Sequence, residues 1–199
     1  MDSVGPDAPT LCAGWTTYDL AAHLVLREGS PLAAVGIVVP QLERLADRGM
    51  ESLKTRTPYP QLVDQVRGGP PLLSPFRAPR VDRAVNAVEY FVHHEDVRRA
   101  QADPSPDPGR LDRRDEDSLW RRLSGLGRLL AKRAKVGVEL VRTDAPGVHR
   151  LNGKEPTVAA RGLPSELVLF AYGRGAVADV EVEGDEDALR EFDHRQMGL

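Results

Sequence analysis

Gln101-Ala-Asp-Pro-Ser-Pro-Asp-Pro-Gly109 is the stretch that decides how this chain is organised. Three prolines and a glycine within nine residues exclude both a helix interior and a central strand, because proline lacks an amide hydrogen and breaks either ladder. The prolines also stiffen the segment, which makes it a spacer more than a tether. Working outward from it, the 199-residue chain divides into residues 1–100 and 110–199, each of ordinary domain size. The fold class expected is α+β, with a helical first domain and a small α+β second domain.

The first domain reads as helices. Thr16-Thr-Tyr-Asp19 has the form of a capping box, with Asp19 in the place of the usual glutamate. It predicts a helix over about 17–28, with Leu20 and Leu24 on its apolar face. A second helix is expected over about 32–48 with an interruption near Pro40, and a short third after Tyr59-Pro60. Residues 68–79 read as a long covering or binding loop. A final helix over about 81–100 carries Val85, Val88 and Val92 on one face and ends in Arg98 and Arg99, which suit a helix C-terminus. The arrangement predicted is an antiparallel helical bundle.

Beyond the spacer the period changes. Asp112 to Lys135 reads as an amphipathic helix with Leu119, Leu123, Leu126 and Leu130 on one face. Val136, Val138 and Leu140 alternate as in a half-buried strand, and residues 157–160 read as a second. Pro164 opens a helix through Tyr172, which Gly173 can end. Ala178, Val180 and Val182 alternate with acidic residues, as in a strand with one wet face, and Asp185 caps a last short helix.

Composition narrows the function. The formal net charge is −3, with 11 basic and 12 acidic residues in 1–100 and 16 and 18 in 101–199. No half is basic, so nucleic acid is not the expected partner, since such binding draws on concentrated positive charge. No apolar run is long enough to span a bilayer, and the acidic, proline-containing N-terminus does not read as a signal peptide. Cys12 is the single cysteine, which excludes an internal disulfide and, on this reading, any cysteine-based zinc site. The natural setting is a reducing cytoplasm.

The most specific constellation is Glu89-Tyr-Phe-Val-His93. Residues four apart share a helix face, so this carboxylate and imidazole can reach one divalent ion. Asp96 lies near the same stripe, opposite the valine face. His23, one turn after Asp19, is the candidate third ligand from another helix. Two imidazoles and a carboxylate with an open position form the pattern of a catalytic zinc or other divalent site. The bland alternative is a solvated Glu–His pair with His23 merely packed. His94 points away from His93 and reads as surface; His149 and His194 read as solvated; Cys12 reads as a small packed residue.

Leu11-Cys-Ala-Gly-Trp-Thr-Thr-Tyr-Asp-Leu-Ala-Ala-His23-Leu resembles the first metal-ligand segment of the DinB-like superfamily, in its mycothiol-dependent maleylpyruvate isomerase branch. Residues 86–100, from Asn86 through Glu89 and His93 to Ala100, resemble the second. The stretch from Gly162 to Arg174, with Val182-Glu-Gly-Asp185, is similar to that branch's C-terminal domain. Within it the chain is most similar to an uncharacterised actinobacterial subfamily described only as metal-binding.

The resemblance implies a DinB-like metal-binding bundle over 1–100 and a C-terminal α+β domain over 110–199, with His23, Glu89 and His93 as metal ligands. It also implies another helix ahead of Cys12-Ala-Gly-Trp15, so either the start of the chain is misassigned or the bundle lacks its first helix. The activity implied is a mycothiol-dependent isomerisation or S-transfer on an acidic small molecule, in which the metal, zinc by preference, activates the cofactor thiol. Arg174, between Gly173 and Gly175, is either a catalytic cation for the acidic substrate or cofactor, or a C-capping arginine. The alternative function on the same fold is a non-catalytic metal-binding or ligand-sensing protein.

Overall fold

A computed structural model of the chain describes residues 1, 3–29, 40–71, 82–102 and 111–198. The predicted helix segment before Pro40, the covering loop beyond residue 71 and most of the proline-rich spacer lie outside the described residues. The chain forms two compact units, Met1–Pro106 and Asp107–Leu199. The first is helical and the second holds a four-stranded sheet with helices, so the chain is α+β.

In the first unit α1 spans Thr17–Gly29. Its start is the reciprocal box that the sequence predicts. The Thr16 amide and hydroxyl each donate to Asp19 Oδ2 at 2.8 Å, and the Asp19 amide returns to Thr16 Oγ1 at 3.4 Å. Thus the Asp19 amide meets a side chain, while the Thr17 and Tyr18 amides donate to the Ala8 and Pro6 carbonyl oxygens, each at 3.0 Å.

Helix α2 spans Pro40–Arg56, running past the end expected near residue 48. Met50 joins Ala21, Ala22, Leu62 and Val63 in one apolar cluster, with Leu53 packed against it, so tertiary burial carries the helix on. Helix α3 spans Tyr59–Gly68, with Pro60 in its first turn, where a missing amide costs nothing. Tyr18 ties α1 to the end of α2: its hydroxyl lies 2.8 Å from the carbonyl oxygens of both Lys54 and Thr57.

Helix α4 spans Asp82–Arg99. Val88 and Val92 are buried as expected, but so are His93, Glu95 and Asp96. The polar strip is therefore not a wetted face opposite the core. His23 of α1 covers it on one side, and the Leu11-Cys12 segment covers it on the other through the Leu11 amide, which donates to the Asp96 carbonyl at 3.0 Å.

In the second unit α5 spans Arg113–Leu130, with Asp112 Oδ1 accepting from the Asp115 amide at 2.8 Å. The sequence periodicity predicts a helix to Lys135, yet it stops sooner. The Leu130 carbonyl is taken by the Gly198 amide at 3.0 Å and the Ala131 carbonyl by Asn152 Nδ2 at 3.3 Å. Groups distant in sequence thus satisfy the orphan carbonyls of its last turn.

Strands β1 (Gly137–Arg142), β2 (Val148–Arg150), β3 (Thr157–Gly162) and β4 (Glu181–Gly184) form a sheet in the order β2-β1-β3-β4. The central β1–β3 pair is parallel and both edge pairs are antiparallel. Strand β2 falls where the sequence suggests only loop, and β4 begins at Glu181, later than the alternation from Ala178 implies.

Helix α6 spans Pro164–Leu169 and passes into a π-helical turn, Phe170–Arg174. Gly173 in that turn has φ +83°, a left-handed conformation that glycine alone adopts without strain. Helix α7, Glu186–Glu191, starts after Asp185 and is followed by a 3₁₀ turn at His194–Gln196. No helix among the described residues is long and apolar enough to cross a membrane.

Candidate metal centre

The first unit brings His23, Glu89 and His93 together. One ligating atom from each lies within 4.8 Å of the others. Glu89 and His93 are set on one face of α4 by their four-residue spacing, and His93 Nε2 lies 3.4 Å from Glu89 Oε2. His23 enters from α1, its ring centroid 5.4 Å from that of His93 at an interplanar angle of 75°. Trp15, just ahead of α1, packs its ring 5.1 Å from His23 and holds that imidazole from the other side.

A second group shares His93. Cys12, His93 and Asp96 also place one ligating atom each within 4.8 Å of one another. His93 Nδ1 lies 2.9 Å from Asp96 Oδ2, and the Cys12 thiol donates to the same oxygen at 3.3 Å. The expectation that the lone cysteine excludes any cysteine-containing site is thereby corrected, since a mixed Cys/His/Asp group needs only one thiol. From the sequence Cys12 reads only as a small packed residue, because it lies outside any helix, where no spacing rule relates it to residue 96.

The electrostatics separate the two histidines. Burial and the positive charges of His93 and Arg27 outweigh the attraction of Glu89 and push His23 down to about 4, so it is neutral at pH 7. Burial acts the same way on His93, but its partners Asp96, Cys12 and Glu89 win and raise it to about 10. Burial would raise Glu89, yet His93 and the positive charge of Arg27 hold it below the usual carboxylate range. The metal-free centre is thus an imidazolium between two carboxylates with a neutral imidazole beside it.

Arg27 is a residue that sequence reading missed. It lies one turn after His23 on α1 and is buried, and its charge acts on both His23 and Glu89. The four-residue spacing from His23 was the available signal. Arg174, the cation singled out from the sequence, belongs to the second unit. There its Nη1 donates to the Tyr172 carbonyl oxygen at 2.6 Å, the contact of a capping arginine.

Other polar residues find structural employment. Glu95 is buried, which would raise it, but His94, Arg98 and Arg99 hydrogen-bond it and hold it well below the carboxylate range. Its buried charge is thus paired. Arg98 and Arg99 clamp that carboxylate in addition to sitting at the helix end. His149 is not simply solvated: it lies in β2 and stacks on Trp120 at 3.9 Å between centroids, its Nε2 3.1 Å from the Trp120 carbonyl oxygen. His194 is half-buried in its 3₁₀ turn.

No family model, curated protein or solved structure matches the chain. The donor set itself fits a divalent ion. Two imidazoles and a carboxylate converge around the buried His93, with His23 and Glu89 half-buried, and Glu89 supplies the single ligand charge.

Proposed function

We propose that His23, Glu89 and His93 hold a divalent metal, zinc by preference, on a DinB-like helical bundle of the maleylpyruvate isomerase branch. On this reading the chain is a cytoplasmic, mycothiol-dependent isomerase or S-transferase acting on an acidic small molecule. The observation that carries the metal part is the convergence of three ligating side chains from two helices within 4.8 Å.

When bound, the ion supplies an open Lewis-acidic position that favours the thiolate form of a cofactor thiol. The chain's own residues set the conditions for that chemistry. Two neutral imidazoles and a single carboxylate leave the centre net positive toward an incoming anion. Arg27 adds positive charge beside His23 and Glu89, which suits an acidic substrate. Burial keeps these charges strong by excluding water. The thiol comes from outside, because Cys12 is engaged with Asp96.

A second reading, a non-catalytic metal-binding or ligand-sensing protein, uses the same three ligands. Metal analysis of the purified chain beside His23→Ala and His93→Ala tests the centre. Stoichiometric metal in the wild type, lost in both variants, supports it; a metal-free wild type or full retention by His23→Ala overturns it. Turnover with mycothiol and acidic substrates then separates enzyme from sensor, and metal binding without thiol binding favours the sensor.

A further inference from the structure

Asp96 is fully buried, at 0% exposed. A carboxylate taken out of water must be met by donors or by charge. Its Oδ2 receives two groups: His93 Nδ1 at 2.9 Å and the Cys12 thiol at 3.3 Å. An ionised carboxylate has no proton to give, so the imidazole nitrogen facing it is the donor. The same ring turns Nε2 toward Glu89, at 3.4 Å, on the side where His23 also converges. One face of His93 is therefore committed to Asp96 and the other to the candidate metal centre.

We infer that Asp96 is a positioning residue for this centre: its Oδ2 takes the Nδ1 proton of His93 and so presents Nε2 to the ion, with the Cys12 thiol as a second donor on the same oxygen. The inference rests on the metal reading above. A carboxylate behind a ligating imidazole fixes its tautomer and ring orientation and increases its basicity. The competing use of these residues is an ion held by Cys12, His93 and Asp96 themselves, with Nδ1 as the ligand. The observed separations are those of hydrogen bonds, and such an ion would remove both donors from the Asp96 oxygen.

The test starts with the wild-type chain, labelled with ¹⁵N-histidine and loaded with Zn²⁺. His93 is expected to keep its proton on Nδ1 and to show an unprotonated, metal-bound Nε2. The reverse assignment overturns the inference, as does a thiolate-to-metal charge-transfer band with Co²⁺ that disappears in Cys12→Ser. Zn²⁺ affinity by chelator competition is then compared in Asp96→Asn and Asp96→Leu. The expected loss is roughly 10–100-fold, larger for the leucine variant, which has no acceptor. A folded Asp96→Leu that binds Zn²⁺ like the wild type overturns the positioning role while leaving the metal centre standing. A wild type that takes up no Zn²⁺ overturns the metal reading and this inference together. If neither Asp96 variant folds, the wild-type protonation pattern alone decides.

Discussion

The imidazoles of His23 and His93 meet edge-on, with centroids 5.4 Å apart and planes inclined at 75°. Such a contact lets ring edges, where the nitrogens sit, converge with Glu89 instead of stacking face to face. The two rings carry opposite protonation preferences, His23 down to about 4 and His93 up to about 10. That asymmetry makes their removal unequal.

In the metal-free chain, His93→Ala leaves the buried Asp96 and the half-buried Glu89 without their imidazolium. Stranding a buried charge costs about 3–5 kcal/mol. His23→Ala removes a neutral ring and leaves a small cavity beside Trp15, within the ordinary range of about 0.5–3 kcal/mol. Urea unfolding with a chelator present measures both. Equal losses would mean that His93 carries no buried ion pair.

Metal uptake is expected to depend on pH. A ligating imidazole must be neutral at its donor nitrogen, so binding at pH 7 displaces a proton from His93 and none from His23. The apparent affinity should therefore fall as pH drops from 8 to 5, with about one proton released per ion near neutrality. Calorimetry in buffers of different ionisation enthalpy reads the proton count directly. Heats that do not vary with buffer would refute the assignment.

Lys54 Nζ lies 2.5 Å from Asp19 Oδ1 and links α2 to the capping box of α1. Burial would raise the Asp19 carboxyl, but Lys54 and Thr16 hold it below its usual value. The hydrogen bond that Lys54 donates to Asp19 raises its ammonium despite partial burial. A lowered carboxyl adds stability above its unfolded pKa, which is lost as pH falls through the folded one. A raised ammonium adds stability below its unfolded pKa, which is lost as pH rises through the folded one. Lys54→Met should therefore cost about 1 kcal/mol across the neutral range, with the difference closing toward acid and alkali. Thermal unfolding against pH checks this, and a difference that persists undiminished at pH 2 would contradict it.

Two glycines should respond in opposite directions. A Cβ at Gly137, the first residue of β1, would run into the Lys154 carbonyl oxygen and the Thr157 hydroxyl. Backbone cannot yield as a flexible side chain does, so Gly137→Ala should destabilise by about 1–3 kcal/mol or more. A Cβ at Gly125, inside α5, meets nothing within 4 Å. Gly125→Ala should stabilise by about 0.5–1 kcal/mol through lost chain entropy in the unfolded state. Comparing the two midpoints of thermal unfolding tests the packing of β1 against 154–157.

Much of this was legible in local sequence. The Thr16–Asp19 box, the Glu89–His93 pair and the Val136–Leu140 alternation follow from backbone periods of 3.6 and 2, which bring near neighbours in the chain onto one face. His23 was nameable as a candidate third ligand only by resemblance and by elimination of other histidines, because no periodicity relates α1 to α4.

The remainder depended on packing. The end of α5 is set by Gly198 and Asn152, the place of His149 by Trp120, and the occupation of Arg174 by the Tyr172 carbonyl. The sequence by itself determined the α+β class, the division near the proline-rich spacer and the pairing of Glu89 with His93. Only the tertiary structure decided that His23 closes that pair and that Asp96 and Cys12 stand behind His93. Hydrogen-bond and steric rules within one element act over a few residues, whereas contacts between elements depend on which apolar faces bury against each other.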